Sequence, residues 1–395
     1  MKILLVASWY PHKKNPFLGN FFRERAQILK ENGFDYLVVK PDYLYVNIFN
    51  LVFRWIKFLL NPSTIIDNKT LVQDPLALTI NFPVYGRIPA FITNKMIGFA
   101  LKKVKPVIFK EWKPDLIHGL SFPNGAIYAE LFSNVLGIPY VIVEHNTFLP
   151  HRIDHAEGKR VLQAYKNAKS IGVVSEHQKR MVLMHVPSCE PITLWNAVNE
   201  QVYNINTHKP EIFTVATVTY PDPIKDYRTF LKSMLELSKM TKDFRYIMIG
   251  NDSFSDISKA NTSKFENYAK ELGVWHLGTF LPKVDKEMMP EFYNNISVFA
   301  STSIAETYGN AAREAMMSGV PVVTTACGGI EDSITADTGV VVPLRNPHQM
   351  ALAIFDIMNQ KYCYEPEKIR EYAINNFGCE VYVKRMKKFY TDAVL

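Results

Sequence analysis

Cysteine is scarce in this sequence. Its four copies, Cys189, Cys327, Cys363 and Cys379, lie far apart and never in a C-x-x-C spacing. Neither a zinc site nor a disulfide framework is indicated, and the expected compartment is a reducing cytosol. Long apolar runs are missing as well. No segment reaches the roughly 18 uninterrupted apolar residues of a spanning helix. The apolar run of the N-terminal MKILLVAS is too short for a signal-peptide core and reads as a first β-strand. There is no short repeat and no low-complexity tract. The absence of an RNP, helix-turn-helix or zinc module argues against nucleic acid as a partner.

What is present is an ordinary globular composition. With 48% hydrophobic and 21% charged residues, the chain is neither disordered nor collagen-like. Its 395 residues exceed what one core usually serves, so two domains of roughly 200 residues each are expected. A formal charge of +7 is mildly basic. It suits an anionic lipid or a phosphate-bearing small molecule without choosing between them.

Short runs rich in Val and Ile recur, each followed by a polar turn and a helical pattern: ILLVA (3–7), YLVV (36–39), LIHGL (116–120), YVIVEH (140–145) and SIGVVS (170–175). After the polar stretch 199–211 the rhythm restarts with FTVATV (213–218), FRYIMIG (244–250), SVFAST (297–302), VPVVTT (320–325) and TGVVVPL (338–344). Such alternation predicts βα units and parallel sheets, hence an α/β chain of two doubly wound domains. The expected divisions are 1–205, 206–375 and a C-terminal helix over 376–395 that packs on either domain.

One segment breaks the rhythm. In NIFNLVFRWIKFLLN (47–61), Asn47, Asn50, Arg54, Lys57 and Asn61 recur at spacings of three and four, a narrow polar stripe on an otherwise apolar helix. Two readings stand: a mostly buried helix, or an interfacial helix whose Phe, Trp and Leu side chains enter a lipid surface beside cations. Lys102, Lys103 and Lys105 would add to such a basic face.

The stretch STSIAETYGNAAREAMMSGVPVVTTACGG (301–329) carries the chemistry. SVFAST reads as a buried strand, so the loop holding Glu306 sits at its carboxyl end, where open α/β sheets bind ligands. Gly309 and Asn310 then start a helix, with Asn310 as the expected N-cap and Gly319 as terminator. A helix start offers free amides and the positive end of the helix dipole, which suit a phosphate. Glu314 lies one turn further in. Two carboxylates flanking a phosphate pocket are poor phosphate ligands but good acceptors for sugar hydroxyls, which points to a nucleotide sugar.

This block resembles the E-x7-E motif of retaining glycosyltransferases of the GT-B fold, family 4 in particular: Ser303, Glu306, Gly309, Glu314, Ala315, Met316, Gly319, Pro321, Val322, Val323, Gly328, Gly329 and Glu331 all match. SWYPHKKNPFLGNFFRERAQIL resembles the family's first strand, glycine loop and helix, with Gly19 in the loop. AKSIGVVSEHQKRM resembles the segment closing the N-terminal domain, and ITLWNAVNEQVYN the linker entry. The resemblance implies two Rossmann-like domains facing across a cleft, acceptor-binding first and nucleotide-sugar-binding second. It implies that Glu306 contacts the donor sugar, Glu314 the ribose and Lys225 the diphosphate, with Ser303 and the amides from Tyr308 through Gly309 and Asn310 to Ala311 completing the phosphate cradle.

It further implies transfer to a glycan or lipid-linked acceptor in surface-polysaccharide synthesis, in the cytoplasm or at the inner face of the membrane. No cofactor is expected, and the lack of a D-x-D motif favours metal independence. His118 and His145, each near the end of an apolar strand, are candidates to orient the acceptor or donor, with a packed or surface histidine as the plain alternative for each; Glu144 adjoins His145. Two departures stand out. Thr217 occupies a position where the family often has an arginine, a clamp that Arg228 would have to replace. His118 matches the first histidine of the family's H-x-H, but Leu120 replaces the second. A noncatalytic nucleotide-sugar binder and a GT-B sugar-nucleotide epimerase are the competing functions.

Overall fold

The computed structural model describes residues 1–13, 18–69, 71, 77–88, 90–147, 156–205, 210–250, 262–282 and 284–395. Parts of the glycine loop (14–17), of the segment after His145 (148–155) and of the linker (206–209) lie outside the described residues. The chain divides into two compact units. One comprises Met1–Val174, Gln178–Leu194 and Val383–Leu395; the other comprises Ser175–His177 and Trp195–Tyr382.

The first unit runs β1 (Lys2–Ala7), α1 (Asn20–Glu31), β2 (Asp35–Tyr45), α2 (Ile48–Leu60), β3 (Ile66–Asp67), β4 (Ala77–Val84), α3 (Ala90–Ile108), β5 (Leu116–Leu120), α4 (Asn124–Leu136), β6 (Tyr140–Glu144), α5 (Ala156–Asn167), β7 (Ser170–Val173), α6 (Glu176–His185) and β8 (Ile192–Thr193). Its sheet has the order β3-β4-β2-β1-β5-β6-β7-β8, parallel except where β3 pairs antiparallel with β4. Helix α1 shows why the sequence folds this way. Phe22, Arg25, Ala26 and Leu29 are its buried residues, spaced i, i+3, i+4, i+7 along one face.

Helix α2 settles a choice the sequence left open. Asn47 caps it, its side chain accepting from the Asn50 amide at 2.9 Å, but only Leu51 and Phe58 are buried. The mostly buried reading is therefore wrong. The apolar residues of α2 outnumber the places the unit's core offers them.

The second unit runs β9 (Phe213–Val218), α7 (Tyr227–Met240), β10 (Phe244–Ile249), α8 (Ser263–Glu271), β11 (Gly278–Leu281), α9 (Met289–Asn294), β12 (Val298–Ser301), α10 (Asn310–Met317), β13 (Val322–Thr325), β14 (Gly339–Val342), α11 (Pro347–Met358) and α12 (Pro366–Phe377). Its parallel sheet has the order β11-β10-β9-β12-β13-β14. Neighbouring residues of one strand feed opposite cores: Val215, Val298 and Val323 join one apolar cluster, Ala216, Phe299 and Val322 the other. Burial of both faces explains why these strands read as continuous apolar runs rather than alternating ones. The last helix, α13 (Cys379–Val394), has its residues from Val383 onward in the first unit.

Candidate functional site

In the second unit's sheet, successive strands are added outward in two directions, β10 and β11 beyond β9, β13 and β14 beyond β12. Loops leaving the carboxyl ends of β9 and β12 therefore part, and the crevice between them is where open parallel sheets bind ligands. Lys225 follows β9 and Glu306 follows β12. The two loops are tied together by backbone and hydroxyl groups. The Ile304 amide donates to the Ile224 carbonyl at 2.6 Å, and the Thr302 hydroxyl donates to the Asp226 carbonyl at 3.0 Å. Asp226 then caps α7, accepting from the Thr229 hydroxyl at 2.6 Å.

Glu306 is held from several sides. Its carboxylate Oε1 accepts from Lys225 Nζ and from the Ser303 hydroxyl at 2.8 Å. Its amide donates to the Cys327 carbonyl and its carbonyl accepts from the Gly329 amide, both at 2.8 Å. The loop after β13 thus fixes the loop after β12. Lys225 and Glu306 side chains are only 20% and 14% exposed. Burial acts to lower the Lys225 pKa, and the Glu306 carboxylate more than offsets it, so the ammonium is held above its ordinary value. The buried Cys327 thiol is pushed up to about 11, chiefly by desolvation, which makes it a poor nucleophile.

The helix start differs by one residue from the sequence reading. Gly309, not Asn310, is the N-cap of α10, in the left-handed region with φ 80° and without a side-chain cap. A Cβ there would lie 2.2 Å from Ile330 Cγ1, so glycine is required twice over. The first amides of α10 receive no capping side chain, and Asn310 is exposed at its first turn. Glu314, in the same helix, accepts from the Tyr293 hydroxyl at 3.1 Å. Tyr308 is buried with its hydroxyl donating to the Asn196 carbonyl, so its side chain is structural. Arg228 stacks over the Tyr268 ring at 4.9 Å, and Thr217 is buried inside β9.

Sequence reasoning missed Arg313. It is fully buried, lies over the Tyr308 ring at 3.8 Å, and donates to the carbonyls of Tyr308 and of Gly329, the latter at 2.9 Å. One guanidinium therefore clamps both loops that flank Glu306, a task suited to its rigid fork. The signal was available: Arg313 sits among Ala312, Ala315 and Met316, the buried side of α10.

The candidates in the first unit are arranged differently. Gly19 caps α1 with φ 69°, and a Cβ on it would meet Trp9 at 2.8 Å. His118 is 3% exposed. Its Nδ1 is 2.7 Å from the Tyr390 hydroxyl of α13, and burial lowers its pKa to about 3. It is a neutral, packed histidine, the plainer of its two sequence readings. His145 lies edge-on to Phe22, centroids 4.9 Å apart. Burial, with the Arg25 charge behind it, holds it well below the ordinary histidine range. Leu120 is buried at the end of β5. Beside them Glu144 is fully buried, accepting from the amides of Phe122 (3.1 Å), His145 (2.7 Å) and Asn146 (2.6 Å) and from the Tyr165 hydroxyl. It shapes the chain around His145 from within.

Residues 197–376 match the family model described as glycosyl transferases group 1. This part of the chain is a glycosyl transferase group 1 domain. The group 1 domain contains Lys225, Glu306, Glu314 and Arg313. A glycosyltransferase of Methanocaldococcus jannaschii, itself described as uncharacterized, is 24% identical over 324 residues, which span 75% of this chain and 78% of that relative. Among solved structures, a glycosyltransferase from Rickettsia africae aligns with a TM-score of 0.71 at 16% identity over 100% of this chain and 98% of the other. Anabaena HepE, solved in complex with UDP-glucose, gives 0.67 at 14% identity over 99% of both chains. At such identities the likeness is one of fold. Two Rossmann-like parallel-sheet units are the GT-B fold that the sequence motif implied.

Proposed function

We propose that the protein is a family 4 retaining glycosyltransferase that moves a sugar from a nucleoside diphosphate sugar to a glycan or lipid-linked acceptor in surface-polysaccharide synthesis, without a metal, at the inner face of the cell membrane. The observation that carries the reading is the Lys225–Glu306 pair at the strand-order switch of the group 1 domain, the loop of Glu306 leading on to the uncapped start of α10. Lys225 and the α10 amides supply positive charge for a departing diphosphate, preorganised and partly shielded from water. Glu314, aligned by Tyr293, accepts from the ribose, and Glu306 from the donor sugar.

In the proposed reaction the bond from the anomeric carbon to the diphosphate oxygen breaks. The bond to the acceptor oxygen forms on the same face, and the acceptor's proton passes to the departing phosphate oxygen. No protein nucleophile is needed, unlike the two-carboxylate hydrolase scheme. The Anabaena protein's UDP-glucose complex makes UDP-glucose the first donor to try.

The test is thermal-shift binding of UDP-, GDP- and ADP-sugars to the full chain and to Glu314→Ala, each with and without EDTA. A shift with one nucleotide family, indifferent to EDTA and lost in Glu314→Ala, supports the reading. No shift with any donor sinks it. Donor binding without turnover on any glycan or lipid-linked acceptor would favour a noncatalytic binder.

A further inference from the structure

Helix α2 presents an apolar face that its own unit does not cover. Leu51, Trp55 and Phe58, spaced i, i+4, i+7, form its inward stripe. Leu51 and Phe58 are buried, and Trp55 Nε1 donates to the Pro83 carbonyl at 3.3 Å. On the far side Phe49 and Leu60 are each 83% exposed, Phe53 66%, Val52 54% and Ile56 53%. The polar stripe of Asn47, Asn50, Arg54, Lys57 and Asn61 runs along one flank between these two arcs. Helix α3 lies alongside: Trp55 of α2 and Met96 and Ile97 of α3 line one narrow cavity. It adds exposed Ile92 and Phe99, with Lys103 over the Phe99 ring at 5.7 Å.

The two helices that carry this face hold charge of one sign. Residues 43–66 and 77–110 contain no Asp or Glu, yet they hold Arg54, Lys57, Arg87, Lys95, Lys102, Lys103, Lys105 and Lys110. This pattern decides what covers the face. A second copy docking through a twofold axis would set these cations against their own counterparts, because an isologous interface pairs a patch with itself. An anionic lipid surface neutralises them instead and takes up the aromatic and aliphatic side chains. Spanning is ruled out by length. Thirteen residues extend roughly 20 Å, against a hydrocarbon core of about 30 Å, and no helix among the described residues is long and apolar enough to cross.

We propose that α2 lies in the plane of an anionic membrane surface, with Phe49, Phe53, Ile56 and Leu60 buried among the acyl chains and Arg54, Lys57, Lys102 and Lys103 on the headgroup phosphates. The inference goes beyond the transferase reading and does not rest on it. It would bring the chain to the surface where a lipid-linked acceptor resides, but it is measured without donor or acceptor.

The experiment is co-sedimentation of the full chain with phosphatidylglycerol–phosphatidylcholine vesicles and with phosphatidylcholine vesicles alone. The expected result is binding to the mixed vesicles, weakened about tenfold or more without the anionic lipid and weakened by salt. Phe49→Ser/Phe53→Ser should lose binding to both vesicle types. Lys102→Glu/Lys103→Glu should lose only the preference for anionic lipid. All four positions are exposed, so unchanged thermal melting checks that the variants remain folded. Failure to sediment with either vesicle type overturns the proposal, as does undiminished binding by Phe49→Ser/Phe53→Ser. A concentration-dependent dimer that this double variant abolishes, with no vesicle binding, would assign the face to a second copy instead.

Discussion

Lys225 Nζ donates to Glu306 Oε1, so the cation assigned to the donor diphosphate and the carboxylate assigned to the donor sugar hold each other. A bound diphosphate would compete with Glu306 for the Lys225 charge, and the two residues should therefore respond oppositely to substitution. Lys225→Ala removes a charged donor worth about 1.5–3 kcal/mol, so UDP affinity should fall roughly 10- to 100-fold. Glu306→Gln removes the competing anion, so UDP binding should hold or tighten while sugar transfer is lost. Calorimetric titration with UDP beside initial-rate measurements separates the two. Equal weakening by both variants would mean that Glu306 itself binds the nucleotide.

Arg313 supplies a second prediction. Replacing it by Met leaves the carbonyls of Tyr308 and Gly329 without their donor, at about 1–3 kcal/mol for each buried unsatisfied group. A loss of roughly 2–5 kcal/mol is expected in urea unfolding, with weaker UDP binding because both carbonyls belong to the loops that fix Glu306. Arg313→Lys should not restore it, since a point charge cannot span both acceptors. A Met variant as stable as the natural chain would show that apolar filling of the site compensates fully for the lost clamp.

These two residues mark what the sequence makes legible. Lys225 and Glu306 each stand in a motif of their own, whose spacing follows from the local path of strand, loop and helix, so a linear pattern finds them. Arg313 sits among the apolar residues of α10, which signals burial, but what holds the buried charge, the Tyr308, Trp195 and Phe377 rings packed around it, is not written in the linear pattern. His118 is similar. Its partner Tyr390 lies 272 residues away, a distance over which periodicity carries no information. Strands buried on both faces were plain as Val- and Ile-rich runs. By contrast β4, with Asn81 and Pro83 inside it, and the four-residue β11 lack a run long enough to register. The face of α2 was visible as a stripe, but whether core or solvent met it depended on neighbours the sequence does not name.

Glu144 predicts a dependence on pH. Burial raises its pKa from 4.5 to about 7, although its four hydrogen bonds act to lower it. Because the folded value lies above the unfolded one, its contribution to stability is fully present below about pH 4.5 and is lost as pH rises through 7. At about 1.4 kcal/mol per unit, up to roughly 3 kcal/mol is at stake. Glu144→Gln cannot titrate, so the stability advantage of the natural chain over this variant should shrink between pH 5 and pH 8 in urea unfolding. An advantage that grows with pH would show that the four donors outweigh desolvation and favour the carboxylate.

The start of α10 offers the sharpest geometric test. Gly309 adopts φ 80°, and any Cβ there would sit 2.2 Å from Ile330 Cγ1. Gly309→Ala therefore meets two obstacles, a left-handed backbone costing about 1 kcal/mol and a collision with a buried side chain. Together they should lower stability by roughly 1–3 kcal/mol and weaken UDP binding further, because a shifted helix start misdirects the amides that would face the phosphates. The two causes separate in a double-mutant cycle with Ile330→Ala, which vacates the space without altering the backbone. If the collision dominates, the double variant should be more stable than the sum of the single losses and should recover UDP affinity. If the backbone dominates, the losses should add and binding should stay weak. A Gly309→Ala chain that unfolds normally and binds UDP like the natural protein would remove α10 from the donor site.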